Sequence, residues 1–156
     1  MVGKGNHALH FTVHNSIGGS DGGKRFDKEI GRVGAQKIMG ASYKFIWKTF
    51  AEQTSTDRKN VQTISLFLEF FLESMRRYVA YTSNDQIHLS TDYIANYQRD
   101  VKTEITGILY HEMAHAWQWD DNDASSSGLI KCIADYVRLT IGFIPPHWVK
   151  PDSGDR

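Results

Sequence analysis

His111-Glu112-Met113-Ala114-His115 places two imidazoles four residues apart with a carboxylate beside the first. On a helix, residues four apart lie one turn apart on the same face, so both rings can reach one ion. Glu112 then stands at the distance of a metal-bound water. Zinc lowers the pKa of such a water to about 7, and a neighbouring glutamate can take its proton as the water attacks a peptide carbonyl. The spacing predicts His111 and His115 as zinc ligands and Glu112 as general base.

Other residue types suited to chemistry carry less. His10 and His14 alternate with Leu9, Phe11 and Val13, the period-two pattern of a half-buried strand, and read as imidazoles on its wet face rather than as ligands. Asp120 to Asp123 suggests calcium, but the glycine and glutamate of an EF-hand loop are missing, so the run reads as a solvated loop.

The elements that must position the motif follow from periodicity. Asp100 is a plausible N-cap for a helix that carries Ile105, Ile108 and Leu109 and runs to about Trp119. Leu129, Ile130, Ile133, Ala134, Val137 and Ile141 outline a second helix, closed by Gly142 and Pro145-Pro146. Residues 24–50 read as one long helix bent by interior glycines, preceded by a loop at Gly18 to Gly23. Strands are expected at residues 8–14, at 61–70 as a central strand covered on both faces, and at 86–90 as a short edge strand. Turns fall at Asp57 to Asn60 and Ser83 to Asp85, and a brief helix starts near Thr91 or Asp92. The fold class is α+β, a mixed sheet packed on a long helix and on the helix that carries the histidine pair.

The 156 residues suit one domain, 1–156. Eighteen basic residues balance 18 acidic ones, which argues against nucleic acid as a partner. No apolar run approaches the roughly 20 residues of a membrane span. The single cysteine, Cys132, excludes an internal disulfide. Met1 to His7 shows no apolar leader.

Tyr81-Thr82-Ser83-Asn84, Ile87-His88, the run from Glu104 to Trp119, Ile133 to Leu139 and Pro146-His147-Trp148-Val149-Lys150-Pro151 closely resemble the plant basic secretory protein family, nearly end to end. The resemblance implies a zincin-like fold and zinc metallopeptidase activity on an extended peptide or protein substrate. It also implies an extracellular or cell-wall setting in pathogen and stress defence. Asp135 then either steadies a ligand histidine or serves as a substitute ligand, and Tyr136 is a hydrogen-bond donor to the oxyanion. Against the family pattern, the C-terminal part of the family domain and the usual leader are expected to be missing, and the net charge is +0.

A further departure bears on mechanism. Catalytic zinc of this type takes three protein ligands, and in the thermolysin-like clan the third is a glutamate on the next helix. Where the family reads Leu-Ile-Glu-Gly-Ile-Ala-Asp, this chain reads Leu129-Ile130-Lys131-Cys132-Ile133-Ala134-Asp135. An ammonium replaces the carboxylate, which should weaken zinc binding unless Asp135 supplies an oxygen; Cys132 points about 100° away. Lys131 could also fill the space of the ion or turn to solvent. The alternative function is therefore a catalytically inactive relative that keeps the scaffold and acts by binding. In the peptidase reading, the strand at Gln86 to Ser90 offers its edge to the peptide.

Overall fold

The computed structural model describes residues 8–50, 61–117, 127–145 and 148. The expected turn at Asp57 to Asn60 and the acidic run at Asp120 to Asp123 lie outside the described residues.

The chain is α+β; the described residues form a mixed four-stranded sheet and five helices: β1 (His10–His14), α1 (Asp21–Glu29), α2 (Gly31–Thr49), β2 (Thr63–Glu69), β3 (Ala80–Ser83), β4 (Gln86–Ser90), α3 (Thr91–Asn96), α4 (Val101–Trp117) and α5 (Ser127–Thr140). A single 3₁₀ turn, Glu73–Met75, follows β2. The sheet order is β1-β2-β4-β3. β1 and β4 each pair with β2 in parallel, and β3 pairs with β4 antiparallel. Parallel neighbours need a crossover connection, which α1 and α2 supply between β1 and β2.

Alternation sets the core. Ile64, Leu66 and Leu68 of β2 are buried, as are Val13 of β1 and Ile87 and Leu89 of β4. With α2 and α4 they form one cluster that includes Met39, Ile46, Ile105, Leu109 and Met113. β2 is central, as its composition predicts, but it is not covered on both faces. Ser65, Phe67 and Glu69 project to the other side and are only half-buried. On that side His14, Phe67, His88 and Tyr81 stand in register across all four strands, with consecutive rings stacked at centroid distances of 4.6, 5.6 and 4.6 Å.

Three expectations are corrected. The long helix at 24–50 is two helices, broken at Ile30 and at Gly31, whose φ of +68° suits glycine. Of the glycines expected in the preceding loop, Gly18 and Gly19 lie in a turn there, but Gly22 and Gly23 fall in the first turn of α1, which Ser20 caps by accepting from the Gly23 N–H at 3.0 Å. A Cβ on Gly22 would stand 2.0 Å from the Thr91 carbonyl oxygen, so glycine there lets α1 approach the start of α3. Finally, β4 is an inner strand. The outer place belongs to β3, which folds back through Asn84 and Asp85 at φ of +48° and +59°. Both central residues are left-handed, as a two-residue hairpin turn requires.

Candidate active site

α4 is buried on most of its circumference, so its polar residues are few and each is placed. Asp100 starts it: its Oδ1 accepts from the N–H groups of Lys102 and Thr103 at 3.0 and 3.2 Å. These bonds, with that from the Thr103 hydroxyl first among them, hold the Asp100 carboxyl below its ordinary range.

About three turns further on from Asp100, His111 and His115 meet. Their Nε2 atoms are 3.1 Å apart. On the other side of the His111 ring, Nδ1 lies 3.0 Å from Asp135 Oδ1 of α5. Burial first, then the positive charges that His115, Arg138 and Lys131 can carry, push His111 down to about 3, so it is neutral. Burial moves Asp135 up, against those same charges. The contact is therefore a neutral imidazole Nδ1–H donating to a carboxyl oxygen, which leaves the Nε2 lone pair aimed at His115.

Glu112 is buried between α4 and β3. The Thr82 hydroxyl stands 2.7 Å from its Oε2 and 3.0 Å from its carbonyl oxygen, sharing one hydrogen between them. Burial raises the Glu112 carboxyl to about 7, and the Thr82 bond opposes the rise.

These groups line a cleft of 630 Å³ together with Tyr78, the β3 residues Ala80 to Ser83, and Lys131. The cleft thus brings together His111, Glu112, His115, Asp135 and Lys131 from the sequence reading. It does not bring in Tyr136, which is 55% exposed and absent from the lining, or Cys132, which is exposed. His10 and His14 sit on β1, at the sheet edge opposite β3. The strand that walls the cleft is β3 rather than the segment 86–90.

Two imidazole nitrogens at about 2.0–2.1 Å from one tetrahedral zinc would stand roughly 3.3 Å apart. The Nε2 pair at 3.1 Å fits that span, and a carboxyl group on the far nitrogen of His111 is the partner that metal-ligating histidines ordinarily have. Asp135 thus meets His111 at the ring nitrogen away from His115. Among the described residues no group of three His, Cys, Asp or Glu side chains converges on the space between the rings.

Several residues of the site are not apparent from the motif. Thr82 comes from a strand that periodicity did not mark. Behind His111, Glu104 accepts from Arg138 Nη2 at 2.7 Å, from the Tyr93 hydroxyl at 3.0 Å and from the Tyr97 hydroxyl at 3.3 Å. Arg138 also donates from Nε to the Phe143 carbonyl at 2.8 Å. The network ties α3, α4 and α5 together. A signal for Glu104 existed: it precedes His111 by seven residues, two helical turns, with Gly107 and Ile108 between them on that face.

No curated protein and no solved structure matches this chain. The family model for a peptidase of plants and bacteria matches residues 6–156, nearly the whole sequence. The chain belongs to this peptidase family of plants and bacteria, the basic secretory protein family that its motifs resemble.

Proposed function

We propose that the protein is a zinc-dependent metallopeptidase with a zincin-like fold, in which His111 and His115 hold the ion and Glu112 is the general base. The reading is supported most directly by the 3.1 Å approach of the two Nε2 atoms. When bound, zinc would supply a nucleophile from water at neutral pH. Asp135 keeps His111 in the tautomer whose Nε2 is a lone pair. Glu112, with a carboxyl group near 7, is poised to accept a proton and later return it to the leaving amine. Thr82 holds that carboxylate against β3. The outer edge of β3 receives an extended peptide as a fifth strand, the role that sequence alone assigned to Gln86 to Ser90. The resemblance supports an extracellular setting in defence or stress.

Lys131 favours a second reading. Lys131 lines the same cleft as the histidine pair, at the position where the family pattern carries a carboxylate. A cation there repels a divalent ion. On this reading the chain keeps the peptidase scaffold without the reaction and acts by binding.

Elemental analysis of folded protein, with Lys131→Glu beside it, separates the two. About one zinc per molecule in the natural chain, with peptide hydrolysis lost in Glu112→Ala, supports the peptidase. Zinc retained by Lys131→Glu alone identifies a scaffold disarmed by one charge reversal.

A further inference from the structure

A second cavity of 320 Å³ adjoins the cleft and shares His111, Glu112 and Asp135 with it. A group held there lies beside the atoms that would cut the peptide. Its own lining includes Arg77, Tyr93, Glu104, Arg138 and Trp148.

The hydrogen-bonding inventory of this lining is lopsided. Both oxygens of Glu104 already accept, three bonds in all, and Asp135 is engaged by His111. The guanidinium donors are not so engaged. Arg138 is 6% exposed and has five N–H groups, yet among the described residues only Nε and Nη2 find acceptors. Arg77, at the exposed rim, donates from Nη2 to the Tyr78 hydroxyl at 2.9 Å and makes no other hydrogen bond among the described residues. Arg138 Nη1 has no acceptor among the described residues and is not sealed from the cavity, so its donors are open to an acceptor that enters there. The strongest acceptor for a planar fork is a carboxylate, which takes two parallel N–H bonds.

The geometry points to this cavity as a subsite for a peptide carboxylate next to the bond that is cut, with Arg138 as the buried anchor and Arg77 at the rim. The assignment rests on the peptidase reading for its place beside the reacting atoms, but the recognition itself needs no turnover. The carboxylate is either an internal Asp or Glu side chain or the free C-terminus of the peptide, since both present the same two oxygens.

Calorimetric binding to the full chain decides the matter with short blocked peptides that differ at one residue: Glu, Gln or Lys, each as the C-terminal amide, and the Gln peptide again as the free acid. The expected result is about tenfold tighter binding of the Glu amide than of the Gln amide, weakest binding of the Lys amide, and a preference that shrinks with added salt. Tighter binding of the free acid alone assigns the pocket to the peptide terminus. Arg77→Gln should reduce the preference several-fold, and Arg138→Lys, which keeps the charge beside Glu104 but loses the fork, should abolish it. If Arg138→Lys does not fold, the peptide series and Arg77→Gln still decide. Equal binding of Glu and Gln amides with no gain from the free acid, or a preference unchanged in Arg77→Gln and Arg138→Lys, overturns the proposal. The same peptides are assayed for cleavage: acid preference in binding without cleavage removes the peptidase reading and leaves the subsite, whereas cleavage without acid preference does the reverse.

Discussion

The Thr82 hydroxyl on β3 lies 2.7 Å from Glu112 Oε2 on α4, so the sheet edge and the helix that carries the histidine pair meet at the carboxylate. Because this bond favours the charged form, Thr82→Val should move the Glu112 carboxyl above 7, in a site-resolved NMR titration of the metal-free protein. Valine keeps the branched shape, and the stability loss should be about 1 kcal/mol.

Glu112 also makes the metal-free protein pH-sensitive. Its carboxyl rises from 4.5 to about 7 on folding, so between those values the native state holds a proton that the unfolded chain has released. Stability from this group is full below pH 4.5 and falls as pH rises toward 7. Glu112→Gln removes the penalty. In urea melts the variant should exceed the parent by roughly 3 kcal/mol above pH 7 and match it near pH 4.5. A constant difference across that range would show that Glu112 ionises as freely folded as unfolded.

Arg138 and Glu104 form an ion pair whose side chains are only 8% and 5% exposed. Replacing either one by leucine leaves the other buried and unpaired, with an expected loss of about 3–5 kcal/mol in chemical denaturation. The double replacement should recover much of that loss, and a double-mutant cycle measures the coupling.

Gly107 faces this network across the α4–α5 contact. An added Cβ would stand 2.7 Å from Arg138 Nε and 3.0 Å from Phe143. Despite the better helix propensity of alanine, Gly107→Ala should lower the unfolding free energy in urea melts by about 1–3 kcal/mol through overpacking.

What could be read along the chain was local. The histidine pair on one face of α4, the Asp100 cap and the end of α5 at Gly142, where φ is +82°, each depend on contacts within a few residues. So did the alternation of β1 and the β-branched and aromatic density of β2, and with them the α+β class. The hairpin after β3 was marked by Asn84 and Asp85, although β3 itself, four residues long, was too short to show a period.

The rest depended on partners distant in sequence. Whether the segment 86–90 is an edge is decided by what pairs beside it, and β3 takes that place. Glu104 and Arg138, 34 positions apart, meet only because α4 and α5 pack face to face at Gly107. The sequence by itself determined that two imidazoles and a carboxylate share one helix, since helical spacing alone brings them together. Only the tertiary structure decided that Asp135 reaches the far nitrogen of His111, and that Thr82 and Lys131 line the cleft while Tyr136 does not, because each of these is a matter of how separate elements pack.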